Sequence, residues 1–146
     1  MGSKLGINNI REEDKILINN LLDWMTTKNA DYTNTFIDLQ DSNIITKDHY
    51  SDEVFLEWYK NWQDRIKKKC TSKELSHVLM KKNNPLVIPR NHIVEEALNL
   101  AQEGNLSLFT EFLDVLRSPY NIEDIPNRFL DPPSKDQRVY QTFCGT

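Results

Sequence analysis

The chain has 146 residues, of which 38% are hydrophobic and 27% are charged, and this composition fits one compact domain with a modest core. Its formal net charge of −4 excludes the overall basic footprint of a nucleic-acid-binding protein. No stretch holds the ~20 apolar residues that span a bilayer, no apolar signal core follows Met1, and two cysteines make no disulfide framework. We therefore expect a cytoplasmic protein with no nucleic-acid or membrane partner.

The first third of the chain has a helical period. Ile18, Leu21, Leu22 and Met25 recur at i, i+3, i+4 and i+7, and acidic residues at positions 12–14 precede them, where negative charge favours a helix start. This pattern predicts a helix over about residues 12–28. A shorter helix over 33–39 and a polar loop over 40–50 should follow.

The next predicted helix carries an aromatic face. Ser51 resembles an N-cap, and the apolar positions that follow on a helix ending near Lys69 are Val54, Phe55, Trp58, Tyr59, Trp62 and Ile66. An aromatic stripe at helical spacing is usually core, so we expect Trp58 and Trp62 to be buried. The basic run over 65–69 suits a solvated helix end.

Three further helices are predicted. Thr71 and Glu74 have capping-box spacing, and the buried positions of their helix would be Leu75, Val78 and Leu79. Pro89 suits the first turn of the next helix, which Gly104 ends. The apolar positions of that helix and of the last one are Val94, Ala97, Leu98, Ala101, Phe109, Phe112, Leu113 and Leu116.

From residue 120 the periodicity is lost, and Pro126, Pro132 and Pro133 lie in a polar segment. We therefore predict an all-α fold of five to six helices in an irregular bundle. Residues 1–119 would form the helical domain, and residues 120–146 an extended, proline-containing tail.

The sequence offers little catalytic chemistry. Four glycines cannot build a phosphate-binding loop, and Cys70 with His77 would supply only two ligands of a zinc site, which normally takes four. We expect no catalytic, cofactor-binding or metal-binding residue in this chain.

Arg90 invites a more specific interpretation. It is predicted in the first turn of a helix, where the helix dipole disfavours a cation, so it should have a specific acidic or carbonyl partner. A salt bridge within the fold, to Glu95 or Glu96, is the favoured alternative. The other is that Arg90 and Asn91 dock this domain onto another one.

Several parts of the sequence resemble the SelO/YdiU (selenoprotein O) family. Residues 84–97, Asn-Pro-Leu-Val-Ile-Pro-Arg-Asn-His-Ile-Val-Glu-Glu-Ala, resemble that family's C-terminal signature. Residues 140–146, Tyr-Gln-Thr-Phe-Cys-Gly-Thr, are similar to the end of many bacterial members, and Cys144 falls where animal members carry selenocysteine. Residues 4–6 and 30–36 resemble the region that follows the family's catalytic domain. The resemblance thus covers essentially the whole chain.

The resemblance implies the function. The family has a kinase-like (pseudokinase) fold that transfers AMP from ATP to hydroxyl side chains of proteins with the help of a divalent metal. Its ATP and Mg²⁺ sites belong to a domain N-terminal to anything matched here. The chain would be a C-terminal accessory domain, inactive alone, whose partner is that kinase-like domain.

The resemblance assigns one candidate site, and the argument from the helix start given above supplies a second. Cys144 matches the family's redox-regulatory position, which pairs with a cysteine near the active site. Pro89, Arg90, Asn91 and His92 would form a domain-docking or structural motif. A free-standing helical protein-interaction module is the alternative function.

Overall fold

The computed structural model describes residues 1–69, 73–120 and 125–137, and every regular element within those ranges is helical, with no strand. The all-α prediction is therefore confirmed. The six longer helices match the six predicted from periodicity: α1 Glu12–Lys28, α2 Tyr32–Asp38, α3 Glu53–Lys69, α4 Lys73–Asn83, α5 Asn91–Gln102 and α6 Ser107–Leu116. Both cysteines, the predicted cap Thr71 and the motif at residues 140–146 lie outside the described residues.

The chain forms two compact units, Met1–Pro85 and Leu86–Thr146. Each unit has its own cluster of buried apolar side chains. The boundary falls in the stretch where Asn83, Asn84 and Pro85 end α4, because the proline ring removes a backbone donor and disfavours helix in the residue before it.

Aromatic side chains from α3 build the core of the first unit, as the stripe predicts. Trp58 and Trp62 are almost fully buried and stack with ring centroids 5.7 Å apart. Their indole N–H groups donate to the carbonyl oxygens of Leu17 and Leu5, at 2.8 and 2.9 Å. The partners matter because a buried N–H without an acceptor costs about 1–3 kcal/mol.

A buried ion pair joins the start of α1 to the end of α3. Asp14 is 1% exposed, and Arg65 donates to both of its carboxylate oxygens, from Nε at 2.6 Å and Nη2 at 2.8 Å. The backbone N–H of Arg11 donates to the same carboxylate at 2.8 Å. The prediction of a solvated basic run is thus wrong at Arg65, because a carboxylate distant in sequence lies within its reach.

The N-cap of α3 is Asp52 and not Ser51, so that prediction is wrong by one residue. The Asp52 carboxylate accepts from the Phe55 N–H at 3.3 Å, and its carbonyl accepts from Leu56 N–H at 3.0 Å. Either side chain could cap a helix. The hydroxyl of Ser51 instead donates to the carbonyl oxygen of Asp48.

The prediction for α4 is wrong in the direction that the helix faces. Leu75 and Val78 are 58% and 47% exposed, whereas Ser76 and Met80 are buried. The reason is the chain before α1, where a 3₁₀ turn at Gly2–Leu5 packs against α4. Ser76 Oγ donates to the Gly6 carbonyl at 2.9 Å, which turns Ser76 inward and Leu75 outward.

The predicted polar loop over 40–50 contributes to the core of the first unit. It contains two 3₁₀ turns, Ile44–Thr46 and Asp48–Tyr50, and it buries Ile44 and Tyr50. The Tyr50 hydroxyl donates to Asp38 at 2.7 Å, which satisfies its polar end.

The second unit is built on α5 and α6. Its buried apolar side chains are Val87, Ile93, Ala97, Leu108, Phe112 and Phe129. Phe129 lies on a four-residue helix, α7 Asn127–Leu130, within the segment predicted as extended. Its ring stacks on Phe112 with centroids 5.1 Å apart, so this part of the segment is packed into the core.

Candidate domain-docking site

The predicted motif lies where α5 begins. Arg90 is the N-cap residue, with φ −75° and ψ 131°, and its carbonyl accepts from the N–H groups of Ile93 and Val94 at 3.0 and 3.1 Å. Pro89 therefore precedes the cap, and the prediction that it occupies the first turn is wrong by two residues. The prediction that Arg90 lies in the first turn is wrong by one.

The side chain of Arg90 points into the second unit. It is 7% exposed, and its Nη2 donates to the carbonyl oxygen of Leu130 at 3.1 Å. Leu130 is the last residue of α7, and the last carbonyls of a helix lack partners within the helix. The contact joins the start of α5 to the end of α7, so a carbonyl oxygen within the second unit, and not Glu95 or Glu96, accepts this hydrogen bond from Arg90.

Asn91 and His92 form the first turn of α5. Asn91 is exposed, whereas His92 is partly buried, and its Nδ1 has no hydrogen-bond partner among the described residues. Burial lowers the pKa of His92, and the positive charge of Arg90 lowers it further, while Glu96 opposes both. The imidazole is therefore neutral at pH 7, since its ordinary pKa is already about 6.5.

An apolar groove begins at the same motif. It has a volume of about 140 Å³ and is lined by Pro89, Val94, Ala97, Leu98, Phe109, Phe112, Leu113 and Leu116, here called the α5–α6 groove. Three of these side chains, Leu98, Phe109 and Leu113, are 47%, 45% and 39% exposed. All but one of the predicted apolar positions of α5 and α6 line the groove, the exception being Ala101. Ala97 and Phe112 also belong to the buried core of the second unit.

A larger cavity, lined by both polar and apolar side chains, lies between α1 and α3 in the first unit, with a volume of about 540 Å³. On one wall, Trp24 Nε1 donates to the Asp52 carboxylate at 2.9 Å, and Lys28 Nζ lies 3.6 Å from the same group. Burial acts to raise the pKa of Asp52, but the bonds from Trp24 and the Phe55 N–H, together with Lys28, leave that pKa below its ordinary value. These polar groups satisfy one another.

The sequence analysis missed this cavity. Its lining comes from two helices about 30 residues apart in the chain, and no short motif brings them together. The helical spacing of apolar residues shows which side chains share one face of a helix. It does not show which other helix packs against that face.

The sequence does not favour Cys70 and His77 as a zinc site, and only His77 of this pair lies within the described residues. Cys70 lies outside them, and His77 is partly buried beside Met80 at a small cavity. Within residues 1–69, 73–120 and 125–137, no three His, Cys, Asp or Glu side chains gather as possible metal ligands. Cys144 also lies outside the described residues.

Among the helices of the described ranges, none has the length and apolar character needed to cross a membrane.

The amino-acid sequence was compared with those of known protein families and individual proteins. The sequence model of the family described as "Protein adenylyltransferase SelO" matches residues 1–117. Proteins named "Protein nucleotidyltransferase YdiU" are similar over the whole chain: one from Nitrosococcus oceani is 45% identical, one from Clostridium botulinum 43% and one from Pelagibacter ubique 42%. In each case 100% of this chain is covered and 30% of the relative, so the chain spans 30% of the length of these relatives. Because the family model matches most of its residues, the chain belongs to the SelO family.

Proposed function

We propose that this chain is the C-terminal helical accessory domain of a SelO-family protein adenylyltransferase. In this proposal the parent enzyme transfers AMP from ATP to Ser, Thr or Tyr side chains of proteins. The observation that carries it is the combination of a family match over residues 1–117 with a span of 30% of each relative. The chain supports the kinase-like domain, which binds ATP and Mg²⁺, and is inactive without it.

The structure of the two units supports an accessory role. The buried polar groups described above are bonded within their own unit: Asp14 to Arg65, Ser76 to Gly6, and Arg90 to Leu130. These contacts hold helices together and leave the exposed apolar side chains of α5 and α6 available to a partner domain.

The test is an AMP-transfer assay with ATP labelled at its α-phosphate. We expect the purified chain to acquire no label with ATP and Mg²⁺, and to support labelling when it is co-expressed with a SelO-family kinase-like domain. The matched control is that complex with Mg²⁺ chelated. AMP transfer by the pure, isolated chain would overturn the proposal.

The alternative, a free-standing helical interaction module, has one observation in its favour, since each unit has a core of its own. The two proposals differ in what the genome must encode. A kinase-like partner encoded immediately upstream would support the accessory domain, and a genome without any such partner would support the module.

Within the accessory-domain proposal, Cys144 is the redox-regulatory residue. Its thiol would form a disulfide with a cysteine of the kinase-like domain, with the two thiols losing two protons and two electrons to an oxidant such as oxidised glutathione. In the complex, we expect oxidation to produce an inter-chain disulfide on a non-reducing gel. Cys144→Ser should abolish that disulfide and Cys70→Ser should preserve it. The reverse pattern would contradict the assignment.

A further inference from the structure

The α5–α6 groove has a buried floor and an exposed rim. Its floor includes Ala97 and Phe112, which are 2% and 5% exposed, and Phe112 is held by the stacked ring of Phe129. Its rim includes Leu98, Phe109 and Leu113, each about two-fifths exposed or more. The groove therefore exists before anything binds, and filling it would require little rearrangement.

The volume indicates what the groove could hold. At about 140 Å³, it is close to the ~150 Å³ of an apolar cavity that accommodates benzene. One large apolar side chain, such as Leu, Met or Phe, would fill it. A groove between two helices is suited to a third helix that presents such residues on one face.

The size of the surface argues against a second copy of this chain as the occupant. A stable complex of free proteins buries about 800 Å² on each partner, far more than three half-exposed side chains offer. A domain of the same protein can dock with a smaller buried area, because the covalent linkage makes docking intramolecular and keeps the effective concentration high. More than two-thirds of each relative's length lies outside the match with this chain, so the relatives have enough further chain to form such a domain.

We propose that the α5–α6 groove receives the apolar face of a helix from the kinase-like domain. The inference rests on the proposed function and assigns its docking surface. Pro89 of the predicted motif lines the groove, and Arg90 joins the start of α5, one of the two helices that line it, to the end of α7.

The test uses this chain, tagged, and co-expressed with the part of the Nitrosococcus oceani relative that it does not match. We expect the tagged chain to capture that part. The double variant Leu98→Ser and Phe109→Ser should weaken capture on the order of tenfold, since a few central, well-packed side chains carry most of the binding energy of an interface. Ile16→Ser on α1 is the matched control, as it removes a 66% exposed apolar side chain outside the groove.

Four results decide the matter. If the groove variant loses capture and the Ile16→Ser control keeps it, the inference is supported. Equal capture by the groove variant and the control would overturn it while leaving the proposed function in place. If the unaltered chain captures nothing, both proposals fail. A dimer of the isolated chain that the groove variant dissociates would assign the groove to a second copy and overturn the inference.

Circular dichroism tests whether the double variant is still folded, so that a loss of capture is not caused by unfolding. Leu98 and Phe109 are about half exposed, so the double variant should keep its helical signal and its melting temperature. If it does not, the single variant Leu113→Gln, at a 39% exposed position, is judged by the same capture assay.

Discussion

Asp14 is the most buried acidic side chain of the described residues, and its role is structural. It accepts two bonds from Arg65 and one from the backbone of Arg11. We expect Asp14→Ala to lower the free energy of unfolding by about 3–5 kcal/mol, because it removes one partner of a buried ion pair. Glu12→Ala, which breaks the exposed pair with Lys15, is the control and should cost no more than about 1 kcal/mol. Chemical denaturation measures both.

The same carboxylate makes stability depend on pH. The hydrogen bond from Arg65 holds the pKa of Asp14 below its ordinary value, against the opposing effect of burial. A depressed pKa in the folded state adds stability that is present above the unfolded value of about 3.9. That stability is lost as pH falls through the folded pKa. Acid titration of the unfolding free energy should therefore show a decline below about pH 4 that is smaller in Asp14→Asn. If the unfolding free energy of Asp14→Asn declined as much as that of the unaltered chain, Asp14 would not be a source of the pH dependence.

Gly6 combines a left-handed backbone with a close approach to α4. Its φ is +69°, and a Cβ there would meet the Oγ and the carbonyl oxygen of Ser76. We expect Gly6→Ala to cost more than the ~1–2 kcal/mol of the backbone term alone, because the first turn must also move away from α4. Gly104→Ala isolates the backbone term, since its φ is +86° and no atom lies within 4 Å of the added Cβ. Equal losses of melting temperature in the two variants would refute the contact with Ser76.

At the scale of elements, periodicity located all six longer helices, and α1 was predicted with both of its ends correct. It was less informative about which way a helix faces. In α4, Leu75 and Val78 have the spacing of a core stripe but face outward, because the chain before α1 occupies the other side. A period shows that residues share a face and does not show what covers that face.

Arg90 connects two elements of the second unit, and its removal should weaken that connection. We expect Arg90→Ala to lower the free energy of unfolding by about 1.5–3 kcal/mol through loss of a charged hydrogen bond to Leu130. Arg117→Ala is the matched control, because Arg117 is 68% exposed and pairs across one helical turn with Asp114. An unchanged melting temperature in Arg90→Ala would contradict the structural role.

At the scale of the whole molecule, the first unit has a hydrophobic core of its own. Its core cluster lies entirely within residues 5–80, and it contains all three tryptophans. An 85-residue domain is above the ~40 residues below which disulfides or metals are usually required. We expect the fragment 1–85 to unfold cooperatively, with the tryptophan emission of a buried environment. Gradual, non-cooperative loss of helical signal on heating would show that it depends on the rest of the chain.

The sequence by itself determined the helical class, the positions of the six longer helices and the aromatic core, because these follow from local spacing and from the burial of large apolar side chains. It also carried the family resemblance that the match over residues 1–117 confirms. The predicted roles of Cys144 and of the docking motif stay predictions.

Only the tertiary structure decided the rest. It pairs Asp14 with Arg65, and Arg90 with the carbonyl oxygen of Leu130. It also decides which face of α4 is buried, places Phe129 in the core of the second unit and leaves the α5–α6 groove uncovered. The physical reason is common to all of these features. Each depends on which residues far apart in sequence come within hydrogen-bond or van der Waals distance, and local spacing carries no record of that distance.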